Sequence, residues 1–209
     1  FFVAAQSLGC LLQKSLAAAF ASGAIAAKVS ATPHHTTQKQ YFIDHGESMN
    51  YQAPINELRF ALQVHGKLPE ILALPASDGL DADTVDAVLE EAARFAEQVL
   101  APTNRTGDLH GAKLTNGKVE THPDLVNAYH EYRDAGWAGL RAPAEYGGQG
   151  LPAVVSAACE EMWCAANLSL SLLPMLTIGA IEALFNHADD EQKQVYLPKM
   201  CEGAWSGTM

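Results

Sequence analysis

Apolar residues recur with the roughly 3.6-residue period of an amphipathic helix across residues 83–100. Asp81 or Asp83 can cap the first turn of this helix. Pro102 is expected to end it, because proline has no amide hydrogen and its ring crowds the preceding turn. The apolar face comprises Val85, Val88, Leu89, Ala92, Phe95, Ala96 and Val99. The opposite face carries Glu90, Glu91, Arg94 and Glu97, which predicts that these side chains are solvated rather than catalytic.

Further helices are predicted by shorter apolar periods that are bounded by proline and glycine. They cover residues 54–64, 123–135, 151–166, 167–176 with a break or kink at Pro174, 178–186 and 189–197, where Pro198 ends the last one. Asp189 or Asp190 can cap that last helix, and Gln192 has the spacing of a capping box. Since no stretch alternates convincingly as a strand, we predict an all-α fold, an orthogonal helical bundle.

The connections between these helices are short except for one. The sequence of residues 69–77 predicts a linker that contains a short apolar helix. Residues 103–121 are polar and predict a loop, with room for a small hairpin at Asn116-Gly117. After the last helix, Gly203 and Gly207 predict a turn that leads into an extended strand beginning near Met209.

A glycine-rich loop, Pro143-Ala-Glu-Tyr-Gly-Gly-Gln-Gly150, precedes one of the predicted helices. It lacks the Lys and Ser/Thr of a phosphate-binding P-loop, and its glycine spacing differs from that of dinucleotide-binding loops. A structural turn in which glycines adopt positive φ is the favoured interpretation. Glu145 is a conceivable general base, but a single carboxylate in a turn is more often simply solvated.

Composition narrows the kinds of partner. The 209 residues are 48% hydrophobic and carry a formal net charge of −11 without a Lys/Arg cluster, which argues against nucleic acid and anionic membrane surfaces as partners. Cys10, Cys159, Cys164 and Cys201 show neither C-x-x-C spacing nor a zinc pattern. We therefore expect no metal site, reduced cysteines and a cytoplasmic location. We also expect no membrane-spanning segment, because no uninterrupted apolar run is long enough to span a bilayer.

Residues 1–48 differ in composition from the remainder of the chain, and the first methionine is Met49. Three interpretations stay open for this segment. It is translated sequence upstream of the true start, or a targeting signal, or an ordinary amphipathic helix that packs on the body. The targeting interpretation is weakened by the absence of arginine and of a basic region before the apolar stretch.

Two motifs resemble parts of the acyl-CoA dehydrogenase family. The loop at 143–150 resembles that family's P-x-E-x-G-G-x-G segment. The run Glu191-Gln-Lys-x-x-Tyr-Leu-Pro-x-x-x-x-Gly203 resembles the end of its helical N-terminal domain. A third run, Tyr51-x-Ala-Pro-x-x-x-x-Arg-Phe60, resembles the short N-terminal element of one branch of the family. The resemblance covers about residues 49–209.

The resemblance implies a division of the chain into parts. Residues 1–48 are a leader or upstream extension, 49–78 the short N-terminal element, 79–204 the helical N-terminal domain, and 205–209 the start of a β-domain that binds FAD. Met209 is then a candidate for a backbone contact with the flavin. The family's catalytic base, a glutamate, lies in a later domain, so we assign no catalytic residue and expect the base beyond Met209.

The resemblance also implies a substrate wall. The helical N-terminal domain supplies one wall of the acyl-chain pocket, and by its order along the chain that wall comes from Ser171, Leu172, Leu173, Met175 and Leu176. A proline-interrupted apolar stretch with Met and Ser suits a flexible acyl chain. Ordinary core packing is the alternative for each residue. Because Ser171 precedes Pro174, a phenylalanine at position 171 is expected to shorten the accepted chain.

The function implied is the α,β-dehydrogenation of an acyl-CoA thioester, with FAD as cofactor and an electron-transfer protein as acceptor, by a homo-oligomeric full-length enzyme. An acyl-CoA oxidase of the same superfamily is the nearest alternative. A non-catalytic helical interaction module is an alternative from another class.

Overall fold

The computed structural model describes residues 51–77 and 79–208. The interpretations of residues 1–48 and of Met209 lie outside the described residues. Eight helices form the described body: α1 Ile55–Val64, α2 Leu68–Leu72, α3 Ala82–Phe95, α4 Ala101–His110, α5 Pro123–Asp134, α6 Ala153–Ala166, α7 Leu168–His187 and α8 Asp190–Cys201. Two strands, β1 Lys113–Thr115 and β2 Lys118–Glu120, form a small antiparallel hairpin. The predicted all-α helical bundle is confirmed.

The start and the buried face of α3 agree with the sequence pattern. The Asp81 carboxylate accepts a hydrogen bond of 2.7 Å from the Thr84 amide, which caps the helix. The buried residues of its apolar side are Val85, Leu89, Ala92, Phe95 and Ala96. Glu97 is an exception to the predicted solvated face, because its Oε1 accepts a 2.8 Å hydrogen bond from the Ala53 amide. This contact fixes the segment before α1 against the continuous helical stretch of residues 82–110, which we call the long helix.

The prediction that Pro102 ends the helix is wrong. Helix α3 continues through a π-helical segment, Ala96–Leu100, into α4 without a break. In this segment the Ala101 amide bonds to the carbonyl of Ala96, five residues earlier. The wider turn gives the proline ring space, and the absent proline amide then removes only one backbone hydrogen bond. Residues 103–110 are therefore helical, although the sequence predicts a loop there.

Two further prolines, Pro174 and Pro198, also lie inside helices. Helix α7 runs across Pro174 as one element, so the predicted division into 167–176 and 178–186 is wrong. Helix α8 continues past Pro198 to Cys201, although the sequence predicts an end at Leu197. In this additional turn, Met200 and Cys201 are buried beside the fully buried Leu197. This burial offsets the hydrogen bond that the proline removes, since a large apolar side chain contributes about 1.5–3 kcal/mol.

The termini of α8 and of the hairpin follow local rules. Asp189 and Gln192 form the predicted capping box at the start of α8, with hydrogen bonds of 2.8 and 3.3 Å. The predicted hairpin turn is also present, because Asn116 and Gly117 both adopt positive φ and Leu114 pairs with Val119.

The core is organised around α6, which packs against α1, α3, the π segment and α7. Trp163 of α6 meets three aromatic rings, with centroid distances of 6.1 Å to Phe95, 5.5 Å to Tyr132 and 5.2 Å to Trp137. Its indole Nε1 donates a 3.2 Å hydrogen bond to the Ala92 carbonyl. Edge-to-face ring contacts of this kind add to the free energy of area burial.

The glycine-rich loop is a structural turn whose amides point into the protein. The amides of Gly147, Gly148, Gln149 and Gly150 donate to the carbonyls of Ala144, Pro143, Gly139 and Ala142 at 2.8–3.0 Å. None of these four amides is left to bind a phosphate, which excludes the P-loop interpretation. Gly147 and Gly150 have positive φ, as predicted. Gly148 is required for a different reason, because a Cβ there would lie 2.0 Å from the Ala142 carbonyl oxygen.

Gly148→Ala should therefore lower the free energy of unfolding by at least about 2 kcal/mol, since a backbone clash cannot be relieved by rotating a side chain. Gly179→Ala is the matched control, because Gly179 lies in α7 with no atom within 4 Å of the added methyl. That change should be neutral or stabilise the chain by about 0.5–1 kcal/mol. Urea unfolding followed by circular dichroism measures both. Equal midpoints for the two variants would contradict the close approach at Gly148.

Candidate functional site

Helix α7 carries all five residues that the sequence predicts as a substrate wall. It begins at Leu168 with Asn167 as its N-cap, and the Asn167 Oδ1 accepts from the Leu170 amide at 3.2 Å. Four large apolar side chains of this helix are 39–55% exposed, namely Leu168, Leu172, Leu173 and Met175. We call these four residues the α7 apolar face. Their exposure in the described chain leaves them free to contact a ligand or another part of a longer protein.

The predicted wall residues do not share one surface. Leu172, Leu173 and Met175 belong to the α7 apolar face, while Leu176 is half-buried. Ser171 is only 7% exposed, and its hydroxyl donates a 3.0 Å hydrogen bond to the Asn167 carbonyl. Ser171 thus serves the first turn of α7, and its side chain does not face open space.

Two cavities adjoin α7 on different sides. The larger, about 480 Å³, is bordered by Leu173, Ser169 and Leu170 of α7, by Leu125, Val126 and Tyr129 of α5, and by Gly107, Gly111, Ala112 and Thr121, which lie on either side of the hairpin. Its volume is within the usual range for small-molecule sites. The smaller, about 20 Å³, lies beside Ser171, Met175, Tyr132 and Trp163. It is too small for a phenyl ring, so phenylalanine at position 171 would overpack the core and would be a poor probe of chain length.

Sequence reasoning missed two buried polar residues, Thr103 and Asn167. The Thr103 hydroxyl donates to the Leu100 carbonyl at 2.7 Å, and Asn167 Nδ2 donates to Thr103 Oγ1 at 2.9 Å. Asn167 is 1% exposed and Thr103 is 7% exposed. An Asn directly before an apolar run is a capping signal, but nothing local in the sequence indicates its contact with Thr103.

The buried Cys159 thiol and Tyr132 phenol have raised pKa values, which suits a structural role better than a catalytic one. Burial raises the pKa of the Cys159 thiol to about 12, so it stays protonated near neutral pH and is a poor nucleophile. Burial also raises the pKa of the Tyr132 phenol, whose hydroxyl donates to the Trp137 carbonyl. Glu145 is exposed in its turn. Among the described residues, no group of three or more His, Cys, Asp or Glu is arranged to hold a metal ion.

Helix α7 is also apolar and long enough, at 20 residues, to cross a bilayer by length and composition alone. The expectation that no segment reaches that length is therefore wrong. The criterion is weak, because core helices of globular proteins also satisfy it. In α7, Ile181 and Thr177 are buried against the other helices, while the α7 apolar face is exposed.

The sequence of the helical body matches a known domain. The sequence-family model described as "Acyl-CoA dehydrogenase, N-terminal domain" matches residues 82–204. The chain belongs to the acyl-CoA dehydrogenase family. Among curated relatives, it is 43% identical over 161 residues to a 3-methylmercaptopropionyl-CoA dehydrogenase of Ruegeria pomeroyi and 30% identical over 164 residues to a butyryl-CoA dehydrogenase of Syntrophomonas wolfei. Each match covers 77% of this chain and 27% of the relative.

The chain thus spans about a quarter of the length of these curated relatives. Among solved structures, an acyl-CoA dehydrogenase from Bacillus anthracis complexed with FAD aligns with a TM-score of 0.46 and 22% identity, over 62% of this chain and 20% of that one.

If the α7 apolar face is exposed as described, the chain should bind the apolar dye ANS. The double variant Leu172→Glu and Met175→Glu should lower the dye fluorescence severalfold while it changes the free energy of unfolding by less than about 0.5 kcal/mol, as is usual at exposed positions. Leu170→Glu is the contrasting variant, because Leu170 is 7% exposed and burial of an unpaired charge should unfold the chain. Unchanged fluorescence in the double variant would show that the face is covered.

Proposed function

We propose that this chain is part of an FAD-dependent dehydrogenase that oxidises an acyl-CoA thioester to the enoyl-CoA. The observation that carries the proposal is the match of residues 82–204 to the N-terminal domain of the acyl-CoA dehydrogenases. The names of the relatives agree with it, since the two curated proteins described above are named as dehydrogenases of an acyl-CoA.

In this proposal, the α7 apolar face and the larger cavity receive the acyl chain. Leu173 belongs to both, because it is partly exposed on α7 and borders the cavity. Apolar side chains at this surface would remove the acyl chain from water and hold its thioester end in a constant place. Leu172, Met175 and Leu176 would extend the same wall along the helix, whereas Ser171 would support it from behind.

The described residues fit FAD only in part. Trp205 is 47% exposed, and its ring lies 6.0 Å from that of Tyr196 with the two planes tilted by 57°, so a flavin ring could stack on the exposed indole but not on both rings at once. Residues 203–207, which include Trp205, are held by two hydrogen bonds. The Gly207 amide donates to Thr177 Oγ1 at 3.1 Å, and the Tyr129 hydroxyl donates to the Gly203 carbonyl at 2.9 Å. When bound, FAD would accept the hydride from the β carbon. We propose that Met209 continues this contact, and that the carboxylate base lies beyond Met209.

Three further properties are part of the proposal. An electron-transfer protein is the electron acceptor of the enzyme, the full-length enzyme is a homo-oligomer, and it works in the cytoplasm. An acyl-CoA oxidase would use the same acyl surface and differ in the acceptor, which is oxygen.

The full-length protein should therefore be purified with bound flavin and assayed with acyl-CoAs of graded length. Reduction of an electron-accepting dye without oxygen, together with formation of the enoyl-CoA, is the expected result. Peroxide formation in air at a similar rate would favour the oxidase. A colourless protein that oxidises none of the thioesters would refute both enzymes and favour an interaction module.

Leu173→Trp in the full-length enzyme should lower kcat/KM about tenfold for long acyl-CoAs and leave short ones nearly unchanged. The added ring would displace about two methylenes from the cavity, each worth about 0.8 kcal/mol. Leu74→Trp is the control, because Leu74 is an exposed leucine that does not border the cavity. An equal loss for long and short substrates would mean that Leu173 lies outside the acyl site.

A further inference from the structure

Helices α6 and α7 meet at a single residue, Asn167. Its amide donates to the Trp163 carbonyl at 2.8 Å and so completes α6. Its side chain caps α7, and its carbonyl accepts from the amide and the hydroxyl of Ser171 at 3.2 and 3.0 Å. The backbone is extended at this residue, with φ −155° and ψ 91°. The direction of α7 relative to the core is therefore set at one buried joint.

Asn167 is connected to the long helix by two consecutive hydrogen bonds, from Asn167 Nδ2 to Thr103 Oγ1 and from the Thr103 hydroxyl to the Leu100 carbonyl. Because the Thr103 hydroxyl gives its only proton to the Leu100 carbonyl, Thr103 Oγ1 is left to accept from Asn167 Nδ2. The amide oxygen of Asn167 must then face α7, where it accepts from the Leu170 amide and from the Ser169 hydroxyl at 2.7 Å. One hydroxyl thus fixes the orientation of the whole cap.

Leu100 ends the π-helical segment, and Thr103 follows Pro102 in the next turn. The irregular turn therefore places a polar contact in the core at the point where α7 begins. Such irregular turns occur frequently at functional sites in proteins. A buried hydroxyl and a buried amide with all of these bonds formed hold a single geometry, because an unpaired buried polar group is unfavourable.

We propose that Thr103 and Asn167 are positioning residues for the acyl wall. Together they form a latch that holds the first turn of α7, and so the α7 apolar face, in register with the substrate chain. Neither residue touches the substrate in this proposal. The inference rests on the proposed function, because it assigns the latch a role in selecting acyl-chain length.

The test compares Thr103→Val with Thr103→Ser in the full-length enzyme. Valine has the shape of threonine without the hydroxyl, so it leaves Asn167 Nδ2 without its acceptor, whereas serine keeps the hydrogen bond. We expect Thr103→Val to raise KM for long acyl-CoAs about tenfold, with little change in kcat for short ones, and Thr103→Ser to behave as wild type. Thr103→Ala replaces the valine variant if that protein does not fold.

Hydrogen exchange separates this effect from general destabilisation. In Thr103→Val the Leu170 amide should exchange at least about tenfold faster than in wild type, because its acceptor is no longer fixed. Asp81→Ala, which removes the cap of α3, is the matched control and should leave both the Leu170 amide and the ratio of long-chain to short-chain KM unchanged.

Each outcome decides the proposal. Faster exchange together with a changed chain-length profile supports it. Faster exchange with an unchanged profile overturns the positioning role, and unchanged exchange overturns the latch itself. A wild-type enzyme that oxidises no acyl-CoA refutes the proposed function and with it the link to acyl length, while the exchange rates still report whether the latch exists.

Discussion

The packing of Trp163 against the long helix is the interaction on which the remaining structure depends. Its ring contacts Phe95, Tyr132 and Trp137, and its Nε1 bonds to the Ala92 carbonyl, so one side chain joins α6 to α3, α5 and the turn after α5. Since α6 leads through Asn167 directly into α7, the position of the α7 apolar face follows from how α6 is seated. The α7 apolar face is therefore only as well ordered as this aromatic cluster.

The sequence correctly predicts the features that depend only on residues close together in the chain. The cap at Asp81, the capping box at Asp189 and the turn at Asn116-Gly117 each depend on residues a few positions apart. The prolines show where local rules fail. Pro102 and Pro198 have unfavourable local effects, but the π segment gives space to one, and burial of Leu197 and its neighbours offsets the other. Tertiary packing, which a local pattern does not contain, decides both cases.

The sequence predicts which helix carries the candidate site. It does not predict which side of that helix is buried and which is exposed. Residues 168–181 are apolar on nearly all sides, so periodicity does not separate Ser171, which is buried, from Leu172, which is exposed. That separation depends on Asn167, and Asn167 in turn depends on Thr103, which lies 64 residues earlier. Gly148 is similar, because the need for a glycine there comes from the approach of Ala142 and not from its own φ.

The contact between Trp163 and Ala92 also has a consequence for how the chain is made. The two residues are 71 positions apart, and the ribosome adds roughly 5–20 residues per second. Helix α3 therefore emerges several seconds before the indole that covers it, roughly 4–14 s at those rates. During that interval Val85, Leu89 and Phe95 have no partner from α6. Until α6 emerges, the apolar side of α3 therefore lacks the helix that covers it in the folded chain.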